Sequence, residues 1–135
     1  MRYLAIDYGG KRTGLAICDR AETIVSPLAV IRSADVLEKI ARIIRDEAVD
    51  AVVLGLPMNM DESEGPQAKI VRAFAAELEA SLDIPIHFQD ERLSSFAAEE
   101  KLLPAELTRK KAKKRLDAIA AAQILEAFLE RHSPR

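Results

Sequence analysis

Ala51-Val52-Val53-Leu54-Gly55 carries no polar side chain and stands between two stretches of helical periodicity. A short continuous apolar run of this kind reads as a parallel strand covered on both faces. Ahead of it, Val36, Leu37, Ile40, Ile43 and Ile44 recur at helical spacing, with Ser33 or Asp35 placed to cap the start. Behind it, Ile70, Phe74, Leu78 and Leu82 stand four apart along one helical face. A second short run, Ile84–Phe88, is entered through Pro85. Helix, strand, helix and strand in that order imply parallel crossovers, which place helices on the faces of a sheet.

The first third of the chain has a different rhythm. Tyr3–Tyr8, Thr13–Asp19 and Ile24–Ile31 read as three strands joined by short polar or glycine turns, close enough to pair as an antiparallel meander. Pro27 lacks an amide donor and assigns the third strand to a sheet edge. The expected fold class is therefore α/β: a five-stranded mixed sheet, three antiparallel then two parallel strands, flanked by helices. The remainder reads as helical, Phe96 to Leu103, an interruption at Pro104, then Leu116 to Leu129. With 135 residues, 49% of them apolar, one domain over 1–135 is the expectation.

A net charge of −2 argues against a strongly basic, histone-like binder but leaves room for a local basic patch, and 109–115 concentrates six cations. The lone cysteine, Cys18, makes no disulfide framework, and His87 and His132 lack zinc spacing. They read as strand packing and tail respectively. No secretory leader is evident and no apolar stretch reaches bilayer length, so no membrane partner and a cytoplasmic location are expected.

Three carboxylates stand where solvated residues should not. Asp7 ends the first apolar run and is followed by Tyr8-Gly9-Gly10-Lys11-Arg12, a stretch suited either to cradling a nucleotide phosphate or to holding a metal over a nucleic-acid backbone. As a purely structural residue, Asp7 would only accept bonds from the turn amides. Asp117 shares a helical direction with Ile124 and Phe128, the side that should face the sheet. A carboxylate there requires a compensating positive charge; Lys113 or Lys114, one turn back, is one candidate and a metal ion the other. Glu91, in Asp90-Glu91-Arg92, follows a strand at the end where open parallel sheets collect ligands. Three converging carboxylates would repel one another, and divalent cations relieve that. Oxygen-only donors favour Mg²⁺ or Mn²⁺, one or two ions.

Those residues also carry a resemblance. IDYGGKRTGLA at 6–16, VVLGLPMNMDESEG at 52–65, DERLS at 90–94 and LDAIAAAQILEAFL at 116–129 resemble, in order and over nearly the whole chain, the YqgF/RuvX family of the ribonuclease-H-like superfamily. The resemblance implies a ribonuclease-H-like fold with catalytic, metal-binding acids at Asp7, Glu91 and Asp117. It implies a nuclease maturing the 5′ end of pre-16S ribosomal RNA, or alternatively a Holliday junction resolvase. It also matches 55–59 to the family's loop after the fourth strand, which brings in Asn59.

Around the acids, Lys11 and Arg12 are placed to contact phosphates, Arg92 and Ser94 to orient Glu91 or bind backbone, and Lys113 and Lys114 to extend an electrostatic footprint beside Asp117. Asp61-Glu62-Ser63-Glu64 reads as a helix N-terminal region. Aromatics at 4% argue against a base-stacking platform. The expected partner is nucleic acid, either a structured RNA precursor or branched DNA, bound by a monomer or a homodimer. Two other readings compete. A phosphotransferase would use the glycine turn as a phosphate cradle, but enclosing ATP takes two such domains. A non-catalytic nucleic-acid-binding assembly factor would use the basic run alone.

Overall fold

The computed structural model describes residues 1–93 and 109–132, and of 93 and 109–116 only the backbone. Ser94, the helix expected over 96–103 and its interruption at Pro104 lie outside the described residues. The chain opens with β1 (Tyr3–Asp7), β2 (Arg12–Cys18) and β3 (Val25–Arg32), paired antiparallel in succession. Then come α1 (Val36–Asp46), β4 (Ala51–Leu56), α2 (Pro66–Ser81) and β5 (Ile86–Asp90). β4 pairs with β1 and β5 with β4, both parallel. The last described element is α3 (Arg109–His132). Strand order is β3-β2-β1-β4-β5, so the expected mixed sheet is what forms.

Burial follows the patterns that suggested the strands. Every residue of β4 is buried, as a central parallel strand requires. β3 is half-exposed and lies at the edge, where Pro27 forfeits no inner ladder bond. Its register slips between Leu15 and Ala16 of β2, so that Leu15 faces Ala29 and Ala16 faces Pro27.

Strand alternation sorts the core into two layers. Leu4, Ile6, Leu15, Val52 and Leu54 point to one face and pack with Val36, Ile40, Val71, Phe74 and Leu78 of α1 and α2. Tyr3, Ala5, Ala16, Cys18, Ala51 and Val53 point to the other and meet Ala121, Ile124, Leu125, Phe128 and Leu129 of α3. Each large aliphatic or phenylalanine side chain so buried contributes about 1.5–3 kcal/mol, enough to hold a helix to each face. Apart from Tyr3, the strand residues on the α3 face of this cluster are small, so the helix can approach the strands closely.

Some expectations need correction. Neither Ser33 nor Asp35 caps α1 through its side chain. Ser33 instead bonds the Gly9 carbonyl at 2.6 Å and shares a 2.8 Å hydrogen bond with Thr13, whose buried hydroxyl requires a partner. In α2 the buried stripe is Ala68, Val71, Phe74, Ala75 and Leu78, while Ile70 is half-exposed. A strict four-residue spacing drifts off the buried stripe because the helix turns every 3.6 residues. The acidic stretch 61–64 precedes α2, whose N-cap is Gly65. Glu64 pairs with Arg72 across 2.5 Å. The basic run belongs to α3, which starts at Arg109 rather than at Leu116. His132 is no loose tail: its ring stacks on Phe128 at 4.0 Å.

Candidate active site

Period-2 alternation decides which side chains meet. Along β1, Tyr3, Ala5 and Asp7 share the α3 face. Along β2 the same parity takes Cys18, Ala16, Gly14 and Arg12, and along β4 it takes Ala51, Val53 and Gly55. β5 continues it through His87, which contacts Phe128, to Gln89 and on to Glu91, where the chain turns into a 3-10 segment (Glu91–Leu93). β1, β4 and β5 are parallel, so Asp7 and Glu91 lie at the same sheet end, and antiparallel β2 starts there with Arg12.

Two glycines let α3 and Glu91 come in over that end. A Cβ on Gly14 would stand 2.5 Å from the Asp117 carbonyl carbon and 3.1 Å from the Ala118 nitrogen. Real Cβ atoms do not approach backbone so closely, so this glycine is required for α3 to deliver Asp117. A Cβ on Gly55 would stand 2.7 Å from Glu91 Oε1 and 2.5 Å from Ile124 Cδ1. In the β1–β2 turn the two glycines differ. A side chain on Gly9 would strike the Arg12 carbonyl oxygen, whereas one on Gly10 would meet nothing within 4 Å.

Asp7, Glu91 and Asp117 are each half-buried. Burial raises the Asp7 carboxyl, a hydrogen bond from Glu91 pulls it back, and the Asp117 charge raises it again. Glu91 is pushed up to about 8, first by burial, then by the Asp7 charge and by donating to Asp7. At neutral pH Glu91 therefore carries a proton and donates it to the Asp7 carboxylate. Asp117 meets a cation that the sequence reading did not name for it: Arg12 Nε reaches its Oδ2 at 3.1 Å. The cation comes from a strand, because strand and helix meet at Gly14.

The donor set is oxygen-only and suits a hard divalent cation. A shared proton and a guanidinium now supply the positive charge that such an ion would bring. Among the described residues, no three acidic, histidine or cysteine side chains stand close enough to form a metal cluster, which fits an acid pair with Asp117 held by Arg12.

Arg92 and Asn59 have structural partners. Arg92 grips Asp90 through Nε and Nη2, at 3.0 and 2.6 Å to Oδ2, and holds Asp90 below the usual carboxylate range. Its Nη1 donates to the Asn59 carbonyl at 3.1 Å and the Met60 carbonyl at 3.4 Å. Asn59 in turn bonds Ser63 through backbone and side chain. Together they strap the loop after β4 to the end of β5, beside Glu91. Lys11 is exposed on the β1–β2 turn. Lys113 and Lys114 fall on α3, but their side chains, like Ser94, lie outside what is described. Sequence reasoning overlooked Gly14 and Gly55. The only available signal for the glycines was their position inside apolar strand patterns.

The family model described as "RuvX: Holliday junction resolvase" matches residues 1–131. A relative from Anaeromyxobacter sp. (strain K), named "Putative pre-16S rRNA nuclease", is 43% identical over 137 residues, covering 99% of this chain and 100% of its own. One of the same name from Paracoccus denitrificans is 45% identical over 130 residues, 93% of this chain and 82% of its own. Among solved structures, T. thermophilus RuvC in complex with Holliday junction substrate superposes with a TM-score of 0.60 at 14% identity, covering 98% and 97% of the two chains. The fowlpox virus Holliday junction resolvase does so at 0.54 and 18% identity, covering 97% and 99%. These two establish a RuvC-like ribonuclease-H fold. With all three acids and both strand glycines inside the matched span, the chain belongs to the RuvX (YqgF) family.

Proposed function

We propose that this chain acts as one catalytic domain, a metal-dependent nuclease that trims the 5′ end of pre-16S ribosomal RNA. The observation that carries the reading is the hydrogen bond between Asp7 and Glu91 at one end of the sheet, with the Asp117 charge near enough to act on Asp7. Asp7 and Glu91 would hold the ion, and Asp117 would complete the site once Arg12 lets it go. A bound Mg²⁺ or Mn²⁺ supplies Lewis-acid polarisation of the phosphodiester and a water acidic enough to attack at neutral pH. The protein's share is to exclude bulk water with α3, to fix the acids on strand ends, and to give up the Glu91 proton when charge arrives. Lys11 and Arg12 position the backbone without reading sequence. The rRNA assignment rests on the names of relatives 43% and 45% identical.

A second reading, resolution of four-way DNA junctions, is favoured by the family's description. Symmetric cutting of a junction calls for two active sites and hence a dimer, whereas trimming RNA needs one. The test is side-by-side digestion of a ribosomal RNA precursor and a four-way junction in Mg²⁺, Mn²⁺ and EDTA, with solution mass measured on the same sample. RNA cut by a monomer, only with metal, fits the first reading; a junction cut by a dimer replaces it with the second. If Asp7→Asn cuts as fast as wild type, the site assignment is wrong.

A further inference from the structure

β2 and β3 end in a juxtaposition that a stable sheet would ordinarily avoid. Arg12 and Arg32 are directly opposite each other in the antiparallel register. Like charges at such positions repel, and cross-strand partners share a face of the sheet. Lys11 adjoins them on the turn. Arg12 has Asp117, but among the described residues neither Lys11 nor Arg32 has an anionic partner. The three cations line an open cleft of about 560 Å³, completed by Gly10 and Ala34.

We propose that this cleft, between the β1–β2 turn and the end of β3, is a subsite for the phosphodiester backbone of the substrate strand, with Arg32 as its outer anchor. The inference rests on the nuclease reading and adds to it a path for the strand. Asp7, Arg12 and Arg32 stand on neighbouring strands β1, β2 and β3 at one sheet end, so a backbone leaving the acids meets Arg12 and then Arg32. A cation that occupies the acids removes Asp117's need for Arg12. The guanidinium then faces Arg32 across the ladder with no carboxylate between, and a phosphate answers both. Ser33 fixes the geometry by tying the end of β3 to the Gly9 carbonyl and to Thr13. Among the described residues, the cleft's lining holds no aromatic ring and no amide side chain. It therefore grips backbone and does not discriminate bases.

The experiment measures binding of a labelled RNA precursor and a labelled four-way DNA junction to the full chain in EDTA, over a salt series, for wild type, Arg32→Ala, Arg32→Lys and Arg20→Ala. Arg20 is exposed on the β2–β3 turn, at the far end of the sheet. Each lost phosphate contact lowers the slope of log affinity against log salt by about 0.7 for single strands and 0.9 for duplex. The expected result is that Arg32→Ala loses that slope and about tenfold in affinity, that Arg32→Lys keeps most of the slope, and that Arg20→Ala changes neither. Whichever nucleic acid shows the loss is the one whose backbone uses the cleft. Because the substitution relieves a like-charge pair, Arg32→Ala should melt no lower than wild type at low salt, which separates lost binding from lost folding. Equal affinity and slope for Arg32→Ala and wild type overturn the subsite, as does an equal loss in Arg20→Ala. If EDTA still abolishes wild-type cleavage in that case, the nuclease reading survives. A wild-type protein that binds neither nucleic acid overturns both.

Discussion

Replacing Gly14 by alanine drives a methyl group into the backbone of α3 at the residue that carries Asp117. The added carbon would lie 2.5 Å from the Asp117 carbonyl carbon. Carbon atoms settle at about 3.5–4.0 Å, so the start of α3 must lift by about 1 Å. Overpacking of this kind costs about 1–3 kcal/mol. At ~2.1 cal/mol/K per residue the unfolding entropy of a 135-residue chain gives about 3.5 °C per kcal/mol, hence a melting temperature lower by about 3–10 °C. A displacement of ~1 Å at a catalytic group can cost about 100-fold in rate. Gly14→Ala is therefore expected to lose both stability and cleavage. Gly10→Ala is the control: it meets nothing within 4 Å and no glycine here has a positive φ. It should be neutral or stabilising by up to ~1 kcal/mol. Thermal unfolding and metal-dependent cleavage of an RNA precursor, measured on both variants, decide the matter. A Gly14→Ala protein that melts and cuts like Gly10→Ala would refute the close-approach argument.

Gly55→Ala pushes against the ends of the Glu91 and Ile124 side chains rather than against backbone; it should slow cleavage while shifting the melting temperature less than Gly14→Ala does. Arg92→Ala should free the loop after β4 and raise amide hydrogen exchange over 59–63. Arg92→Lys should not restore protection, because lysine lacks the fork that spans Asp90 and two carbonyls. Asp19 accepts bonds from the Ile24 and Thr23 amides and the Thr23 hydroxyl, which pull its carboxyl down to about 2. A depressed folded-state value means the stabilisation is present above the ordinary carboxylate range, near pH 4, and is lost as pH falls towards 2. Urea denaturation across that window should show a shallower acid limb for Asp19→Asn, and an unchanged limb would remove Asp19 from the account.

Much of the architecture was legible in residue patterns, because those patterns report burial directly. The all-apolar run at Ala51 became the fully buried β4, Pro27 marked the edge strand, and three alternating runs made the meander. Asp7, Glu91 and Asp117 were read as carboxylates in core-facing positions; Asp7 and Glu91 are hydrogen-bonded, and the Asp117 charge acts on Asp7. Legibility failed where a property depends on what another element brings. Ile70 sits on a regular four-residue spacing yet faces water, since α2's buried stripe is set by its contact with the sheet. Arg92 was read as placed to orient Glu91 or bind backbone, and its bonds to Asp90 and the loop carbonyls could not be read from sequence.

By itself, then, the sequence determined the order and type of the strands, the crossover connections and the family, and it singled out three carboxylates in core-facing positions. These follow from period, chain order and residue chemistry, which are local properties. Only the tertiary structure decided that Arg12 reaches Asp117, that Glu91 is hydrogen-bonded to Asp7, and that Arg32 stands opposite Arg12. Each is a meeting of residues far apart in the chain, and each depends on strand register and on how closely α3 lies over Gly14 and Gly55.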